Sequence, residues 1–531
     1  MIKDIKKKNR TKKICISASL LCLIVVISVG QPNSTAQTQT QLDEIETYLE
    51  SEVLNSLIPG LAVGIVKNDK TIYTKGFGIA GPGRTMTAQT PMSLCSISKS
   101  FTAIGILQLV ESGAIQLDAK VKDYLPWFKM ANESASSQIT VEHLLYHISG
   151  ISTASGVKNF YGNETIEEFV RSLELDSLQS TPGTKFEYSN ANYNILGLLI
   201  ENRTGLSFEQ YIEANIFRKL NMTNSYFSET GALTSQHATL YSTLFGVHIP
   251  FELAFNPAYN PSGFIISTAD DMCNYMIAQL NEGRYNSTSS VLTPENMLKS
   301  HFLPEDFEGN TYYAMGWGNV TLNEVPILQH TGGVAGITTN IIIAPENGGE
   351  EGWGVFTMIN TQNVVGQLTS HLTIAFNVLN MLMEKPTWSV ISPLFIYVIF
   401  DIVVAVSIAL HIWLFVKSKG KTIKLIARYD TIKEKRKKAS IRIIIDFVLA
   451  IIILVGVPPI LGILLGGDLI SILTFNLLTL IIGIPDLAIL LIILGAGFIA
   501  EGILRVILTR KNLKNFSIET EDKINAEAKL E

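Results

Sequence analysis

The chain has 531 residues, a mean hydropathy of +0.27 and a formal net charge of −6. This length exceeds a single compact core, because domains hold roughly 100–200 residues each. Apolar residues concentrate near the N-terminus and after about residue 388. The net charge therefore sums over regions of different composition and does not describe any one of them. Nothing in it indicates the basic face that nucleic-acid binding needs, and we expect no nucleic-acid partner.

The N-terminus combines a basic segment with an apolar run. Lysines and an arginine crowd the first 13 residues, an apolar run covers Ile14–Val29, and Gln31–Thr40 is polar. This order is typical of an export signal. We predict that residues 1–36 form a signal peptide with cleavage after Ala36, or alternatively an uncleaved N-terminal anchor.

Residues 37–388 are predicted to form an extracytoplasmic globular domain. Its ends are rich in strand patterns and its middle is helical, which predicts an α+β fold with an antiparallel sheet flanked by helices and a helical subdomain. Cys95 and Cys273 are expected to be unpaired buried thiols. The predicted elements are a hairpin of Leu61–Val66 and Thr71–Gly78, a hairpin of Ile337–Ala344 and Trp353–Ile359, and a helix over Asn363–Met383.

The first candidate catalytic motif is Ser96-Ile97-Ser98-Lys99, followed by the helical pattern Phe101–Glu111. A serine hydroxyl needs a neighbouring base to become a nucleophile. Ser96 at the helix start has Lys99 one turn further on the same face. A lysine can act as this base when burial or nearby cations lower its pKa.

Two further motifs supply polar groups at a distance. In Tyr188-Ser189-Asn190, the tyrosine can transfer a proton and the asparagine can bind a substrate amide. His330-Thr331-Gly332-Gly333 precedes the strand pattern near Ile337. Glycine lets a backbone approach a ligand closely. A backbone N–H there and the N–H of Ser96 can form an oxyanion hole.

Three C-terminal segments are apolar and long enough to cross a membrane. Positive loops stay in the cytoplasm, so the basic stretch 417–442 and the charged tail 509–531 are predicted to lie inside and the globular domain outside. Leu469–Ile482 is short and is predicted to be re-entrant or interfacial, with a fourth crossing as the alternative. The predicted spans, within region 389–508, are about 390–416, 443–465 and 486–508.

Ionisable residues occur within these apolar segments. Asp401 lies near the middle of the first span, which makes it a functional candidate, because a charge is costly there. Glu501 and Arg505 are four residues apart and can pair on one helix. We expect these groups to pair inside a small helix bundle.

The motifs and their surroundings resemble class C β-lactamases, low-molecular-weight penicillin-binding proteins and related esterases and D-amino-acid peptidases. The resemblance covers roughly residues 45–385, and order and approximate spacing agree. The segments that carry it are Leu94–Phe128, Ile139–Ile151 with Leu144-Leu145-Tyr146-His147-Ile148-Ser149-Gly150, Pro182–Gly197 and Asn260–Asp271.

The resemblance implies that Ser96 is the nucleophile and Lys99 its activating partner. Tyr188 would be the base in acylation and the acid for the leaving group, and Asn190 would orient the substrate. No metal or organic cofactor is implied. The remaining implied roles are substrate binding by His330, Thr331 and Gly332, and an oxyanion hole from the N–H groups of Ser96 and Gly333.

His330 departs from the lysine that β-lactamases and many penicillin-binding proteins carry at this position. Histidine is mostly neutral at pH 7, so it is a weaker partner for a substrate carboxylate. This favours the esterase and peptidase branches of the family. His147 and Ser149 are interpreted as structural residues near the site.

The sequence thus predicts a multi-pass membrane protein whose outer domain is a serine hydrolase. Its expected substrates are small molecules or cell-envelope components, namely D-alanyl peptides, D-amino-acid esters or amides, or β-lactams. The alternative is a transmembrane sensor that binds or is acylated by a ligand without turnover. A weaker alternative is an accessory domain of a membrane transport or assembly component.

Overall fold

The computed structural model describes residues 34–531 apart from several short gaps and one longer one. The predicted signal segment up to residue 33, the predicted second span beyond residue 453 and the predicted segment 469–482 lie outside the described residues. The gaps are 229–235, 245, 304–312, 346–350, 363–365, 367–369, 390, 428–430, 454–484 and 528–531.

An antiparallel sheet forms the centre of the globular domain. Among the described residues it has seven strands in the order β3-β2-β1-β11-β10-β9-β8. The pairs β4–β7 and β5–β6 lie apart from it. The strands are β1 Gly60–Lys67, β2 Lys70–Gly81, β3 Arg84–Thr85, β4 Met92–Ser93, β5 Leu240–Leu244, β6 Val247–Phe251, β7 Ile266–Ser267, β8 Gly318–Leu322, β9 Val325–Val334, β10 Ile337–Ala344 and β11 Trp353–Ile359.

Both faces of the sheet are buried, because the central strands carry apolar side chains at consecutive positions. Residues of β1 alternate between two apolar clusters: Leu61 and Val63 face one, and Ala62 and Val66 face the other. The cluster with Leu61 and Val63 is covered by the helices Ser34–Asn55 and Thr373–Leu382. The cluster with Ala62 and Val66 continues into the helical part of the domain. The sheet therefore joins chain segments from both ends of the domain.

The helices fill the middle of the domain and the C-terminal region. The helix Ser98–Glu111 contacts the helices Asn190–Thr204 and Asn260–Gly263, so it lies in the helical core next to the sheet. The helices are α1 Ser34–Asn55, α2 Ser98–Glu111, α3 Val121–Tyr124, α4 Glu133–Ser136, α5 Val141–Leu145, α6 Ile166–Ser172, α7 Asn190–Thr204, α8 Phe208–Ile212, α9 Asn260–Gly263, α10 Ala269–Leu280, α11 Pro294–His301, α12 Thr373–Leu382, α13 Pro393–Ala427, α14 Ile432–Ile451 and α15 Pro485–Glu527.

The predicted α+β architecture and both predicted hairpins are confirmed. The structure differs from the sequence expectations at three places. The predicted helix over Asn363–Met383 includes residues 370–372, which form a turn instead, and the helix described after that turn is Thr373–Leu382. The helix α2 begins at Ser98, because Cys95–Ile97 forms a separate 3₁₀ turn. The motif at His330 lies inside β9, a strand that the sequence pattern did not indicate.

Three long helices form the described C-terminal region, and α15 packs against both α13 and α14. Two segments are apolar and long enough to cross a membrane, Pro393–Leu410 and Ile489–Ala526. The predicted basic loop 417–442 is largely helical, since α13 continues to Ala427 and α14 begins at Ile432. The basic residues therefore extend both helices beyond their apolar parts.

Charged side chains meet where α14 packs against α15. Arg505 Nη2 lies 3.0 Å from Glu501 Oε2, the pair that the spacing predicts. Arg505 Nε also lies 2.9 Å from Asp446 Oδ2, a partner that sequence spacing does not reveal. Asp446 and Glu501 are only 5% and 6% exposed, so the arginine offsets part of the cost of burying two acids in apolar helices.

Buried histidines predict that the folded domain loses stability in acid. Burial lowers the pKa of His301 to about 3, and its Nε2 lies 2.7 Å from Gln279 Oε1. In the unfolded chain a histidine titrates near pH 6.5. Below that pH the unfolded chain binds a proton that the folded domain excludes, so stability is complete above about pH 6.5 and falls toward about pH 3. Burial lowers the pKa in the same direction for His143, His237 and His371.

We expect His301 to cost the folded state about 2 kcal/mol at about pH 5 relative to neutral pH. The variant His301→Gln keeps a donor for Gln279 and cannot titrate. Its melting temperature should therefore fall less between neutral pH and about pH 5 than that of the wild type, by a few degrees. Differential scanning fluorimetry measures both slopes, and equal slopes would contradict this assignment.

Candidate active site

Ser96 occupies the 3₁₀ turn Cys95–Ile97 that leads into α2. The preceding residue, Cys95, has a φ of +50°, a conformation that costs a non-glycine residue energy. Ser96 itself is partly exposed, whereas Cys95 and Ile97 are buried. The turn thus holds one hydroxyl at the surface while apolar neighbours anchor it on both sides.

Lys99 lies one turn beyond Ser96 and is completely buried. Its Nζ lies 3.3 Å from Ser96 Oγ, 2.7 Å from Asn190 Oδ1 and 2.6 Å from the carbonyl oxygen of Ser262. Burial holds the pKa of Lys99 well below its usual range, and no carboxylate contacts the amine among the described residues. The neutral amine is therefore favoured far more than in an exposed lysine.

The neutral form of Lys99 matches its three partners. A neutral amine has two N–H donors and one lone pair. The oxygens of Asn190 and Ser262 are acceptors only, so they take both N–H groups. In the neutral form the lone pair is then left for the hydroxyl of Ser96, 3.3 Å away, which is the arrangement that a base needs beside a serine nucleophile.

Tyr188 lies close to both Ser96 and Lys99. Its hydroxyl hydrogen bonds with Ser96, and Lys99 Nζ lies 4.8 Å from the centre of its ring. Burial raises the pKa of Tyr188 above its ordinary value, and the hydrogen bond with Ser96 opposes that shift. Tyr188 therefore holds its proton at neutral pH. Asn190 follows it at the start of α7 and turns its oxygen toward Lys99.

The motif His330-Thr331-Gly332-Gly333 forms the adjacent strand edge on β9. A Cβ atom on Gly332 would lie 2.5 Å from the oxygen of Leu94 and 2.7 Å from Cys95 Cβ. Only glycine allows the strand to lie this close to the nucleophile's turn. Thr331 is partly exposed and Gly333 is exposed. The backbone of Gly333 is thus accessible on the strand that packs against the turn of Ser96.

His330 is only 7% exposed. Its Nδ1 lies 2.7 Å from the carbonyl oxygen of Thr331, and its Nε2 lies 3.0 Å from the hydroxyl of Tyr313. Burial lowers the pKa of His330 to about 3. The imidazole is therefore neutral at pH 7, as the departure from lysine in the sequence leads one to expect.

His147 and Ser149 support the segment that carries Tyr188. The backbone N–H of Ser189 donates to His147 Nδ1, and Ser149 Oγ lies 2.6 Å from Asn192 Oδ1. The rings of His147 and Tyr188 are 4.5 Å apart between centres. These contacts agree with the interpretation of both residues as structural.

The structure brings the three motifs together: Lys99, Tyr188 and Asn190 lie close to one another beside Ser96, and Gly332 of the third motif packs against the turn that carries Ser96. Two further groups at the site were not predicted from the sequence. Ser262 contributes a backbone carbonyl, which no side-chain pattern reveals, although it lies in the segment Asn260–Asp271 that carried part of the resemblance. Tyr313 lies outside the three motifs, and its hydroxyl meets His330, 17 residues further along the chain, only in the folded domain.

Comparisons with known proteins show which family and which fold the domain shares. A family model described as Beta-lactamase matches residues 45–378. Protein flp of Staphylococcus aureus (strain COL) is 28% identical over 340 residues, which cover 63% of this chain and 66% of that protein. The matched region thus spans slightly less than two thirds of the relative's length.

Two solved structures share the fold. An octameric penicillin-binding protein homologue from Pyrococcus abyssi has a TM-score of 0.54 and 25% identity, over 65% of this chain and 78% of its own. A D-amino acid amidase from Ochrobactrum anthropi, solved with L-phenylalanine, has a TM-score of 0.53 and 19% identity, over 64% of this chain and 98% of its own. The second likeness concerns the fold alone.

Proposed function

The chain belongs to the beta-lactamase family, and from this premise we propose that it is a membrane-anchored serine hydrolase that forms an acyl-enzyme on Ser96. The observation that carries the proposal is the environment of Lys99. Its amine is buried, meets two obligatory acceptors and has Ser96 Oγ as its third neighbour at 3.3 Å. An arrangement that only stabilised the fold would gain little from an uncompensated buried amine.

Acylation begins with proton transfer from Ser96 to the neutral amine of Lys99. Ser96 Oγ then attacks the substrate carbonyl carbon, and the resulting oxyanion accepts hydrogen bonds from the N–H groups of Ser96 and Gly333. Asn190 directs its oxygen to Lys99, which leaves its amide nitrogen to bind a substrate carbonyl. Each of these groups lies on a different element, held in place before substrate binds.

Tyr188 supplies the proton that the leaving group needs. It is protonated at rest, so it donates its proton to the leaving group as the bond to the acyl carbon breaks. The phenolate is then reprotonated by the Lys99 ammonium, which lies close to its ring. The pKa directions favour Lys99 over Tyr188 as the base for acylation, and they retain Tyr188 as the acid. Water then attacks the acyl-enzyme, and the same groups act in reverse.

We propose D-amino-acid amides, esters or peptides as the substrate class, with β-lactams as a further possibility. The fold shared with a D-amino acid amidase supports this choice as an analogy. The apolar segments Pro393–Leu410 and Ile489–Ala526 support membrane anchoring. We further propose the multi-pass topology of the sequence prediction, with the catalytic domain, residues 37–388, outside the cytoplasm.

The second candidate function is a sensor that is acylated once and signals through its helices. The contact of Arg505 with Asp446 and Glu501 favours it, because a charged network between apolar helices can have two discrete arrangements. Turnover separates the two functions. An enzyme releases product continuously, whereas a sensor gives one equivalent and stops.

One experiment tests nucleophile, orientation and turnover together. Intact cells expressing the full chain are treated with a membrane-impermeant fluorophosphonate, and the labelled peptide is identified by mass spectrometry. We expect the label on Ser96, and we expect purified full-length protein to hydrolyse a D-alanyl ester or p-nitrophenyl acetate well beyond one equivalent. Labelling only after cell lysis would contradict the orientation. Labelling elsewhere would contradict the nucleophile, and a single burst would favour the sensor.

A further inference from the structure

We propose that the hairpin β5–β6 rests on the outer surface of the membrane and holds the active site beside it, so that the enzyme favours esters or amides carried by the bilayer. The partner is a lipid surface, and two apolar side chains of β6, Val247 and Ile249, make the contact. The inference rests on the proposed function, from which it takes the membrane anchoring and the acylated serine, and it deepens the substrate class.

The hairpin β5–β6 exposes apolar side chains on one face. Side chains alternate along a strand, so Val247, Ile249 and Phe251 of β6 share a face. Phe251 is half-buried, whereas Ile249 is 44% exposed and Val247 is 58% exposed. The apolar face therefore runs outward from the domain and is left open to the surroundings at its outer end.

The inner end of the same face packs beside the active site. A Cβ atom on Gly336, in the turn between β9 and β10, would lie 2.7 Å from Leu240 Cβ and 2.8 Å from Phe251 Cζ. Gly333, the proposed oxyanion donor, lies three residues before Gly336 on β9. The hairpin is therefore fixed next to the oxyanion side of the site, and its position relative to the membrane also sets that of Ser96.

The first span leaves the domain at this end of the sheet. Ser392 Oγ, just before α13, donates to the carbonyl oxygen of Asn55 at 2.6 Å, and Asn55 ends the helix that precedes β1. Neighbouring strands are about 4.8 Å apart, so the start of β1 lies about 15 Å from Gly333, three strands away. The pairs that align these strand ends are Leu61↔Ile359, Ile359↔Thr338 and Thr338↔Gly333.

The last span contacts the hairpin directly, because α15 packs against β5 as well as against α13 and α14. The C-terminal residues 517–526 of α15 are all exposed. In the proposed topology they lie inside the cell, so a strand of the outer domain meets α15 near its start at Pro485. The apolar segment of α15 begins at Ile489. The hairpin thus lies where this span enters the bilayer.

Trp388 marks the level of the membrane surface. It is 43% exposed and lies five residues before α13 begins at Pro393. Its backbone N–H donates to Asn377 Oδ1 at 2.8 Å, and Asn377 Nδ2 donates to its carbonyl oxygen at 3.1 Å, which fixes it to α12. Tryptophan is enriched at membrane–water interfaces, because its ring is apolar and its N–H is polar. This neighbourhood favours lipid as the partner of the exposed face.

The contact orients the domain more than it retains it. Membrane-spanning helices already hold a protein in the bilayer, so two apolar side chains add little to retention. A domain joined to its spans by a short connection can still tilt, and apolar contact with the boundary between headgroups and acyl chains opposes that tilt. Ser96 is then held within reach of acyl groups attached to membrane-borne molecules.

The first test measures the depth of the hairpin in the bilayer. The full-length protein in phosphatidylcholine–phosphatidylglycerol vesicles carries the fluorophore NBD on Ile249→Cys or on Lys70→Cys. Lys70 is the matched control, because it is exposed on the hairpin β1–β2 at the opposite end of the sheet, about 20 Å away. Two native cysteines are buried and two are changed to serine, so that only the added cysteine reacts: Cys95 and Cys273, and Cys15 and Cys22.

We expect lipids with a spin label near the headgroup to quench the probe at Ile249→Cys at least about threefold more than the probe at Lys70→Cys. Equal quenching at the two positions would overturn the proposal. A probe at Ile249→Cys that reports an apolar environment but is not quenched by lipid would also overturn it, because a second copy of the chain would then cover the face.

The second test measures the substrate preference. It compares wild type, the double variant Val247→Glu with Ile249→Glu, and Leu175→Glu, a control at an apolar residue that is 87% exposed. The measured quantity is the rate of hydrolysis of p-nitrophenyl palmitate in vesicles divided by that of p-nitrophenyl acetate in solution. We expect this ratio to fall by about fivefold or more in the double variant, because the glutamates oppose contact with lipid, and to stay constant in Leu175→Glu. An unchanged ratio in the double variant would overturn the preference.

These measurements separate the inference from the function on which it rests. If alkaline carbonate releases the full chain from membranes, the proposed anchoring fails, and the docking fails with it. If the chain is retained and the probe at Ile249→Cys is not quenched, only the docking fails. If neither ester is hydrolysed, the proposed enzyme and its substrate preference fail, and quenching alone decides whether the hairpin contacts lipid.

Discussion

Replacing Ser96 with alanine is expected to lower hydrolysis of every substrate of the protein by about 10⁴-fold or more. The change removes the oxygen that would form the acyl bond, and in the described part of the chain Ser96 has the only hydroxyl that hydrogen bonds with Lys99 Nζ. Labelling by a fluorophosphonate should disappear in the same variant. Steady-state hydrolysis of a D-alanyl ester and gel fluorescence measure both losses.

The control for this variant is Ser100→Ala. Ser100 also lies in α2 and is buried, but its hydroxyl donates to the carbonyl oxygen of Ile97 and accepts from Tyr275. It should lose some stability, about 1–3 kcal/mol, because Tyr275 is left without this partner, and it should retain labelling. Equal labelling of Ser96→Ala and wild type would show that Ser96 is not the nucleophile.

Replacing Lys99 with methionine is expected to slow acylation of Ser96 by about 10³-fold. Methionine has nearly the same length but offers no lone pair to the serine hydroxyl. The oxygens of Asn190 and Ser262 lose their donor, which costs stability, while removal of a buried amine offsets part of that cost. The labelling rate of a fluorophosphonate under pseudo-first-order conditions measures the effect.

The pH dependence separates a base from a merely structural lysine. Wild-type acylation should decrease as the pH falls through the lowered pKa of Lys99, because the protonated amine cannot accept the Ser96 proton. This decrease should be absent from Lys99→Met. The matched control is Lys158→Met, since Lys158 also contacts a carbonyl and a side-chain oxygen, those of Ser172 and Asp176. A similar loss of rate in both variants would contradict a specific role for Lys99.

Local sequence patterns predicted the parts of this protein that depend on short spacings. The hairpin strands Ile337–Ala344 and Trp353–Ile359 have the bounds that their apolar runs indicate. Ser96 and Lys99 fall on one face because three residues make nearly one helical turn. Glu501 and Arg505 pair for the same reason. In these cases the interacting groups are near neighbours along the chain.

Predictions from the sequence were wrong or incomplete where the interacting residues are far apart in the chain. The strand β9 contains two glycines and a proline, so its strand propensity is low, and pairing with β8 and β10 determines it instead. Residues 370–372 form a turn before α12, although the apolar pattern Asn363–Met383 predicts helix there. Asp446 joins Arg505 from another helix, at a distance that no periodic pattern encodes.

By itself the sequence determined the α+β class, the position of the nucleophile motif and the apolar segments at the chain ends, because composition, periodicity and one-turn spacing are local properties. The tertiary structure decided the chemistry of the site. It buried Lys99 away from any described carboxylate, placed acceptors from α7 and α9 at its amine, and brought its Nζ to 3.3 Å from Ser96 Oγ. It also placed Tyr313 against His330. Protonation states depend on burial and on long-range neighbours, and only the folded chain supplies those.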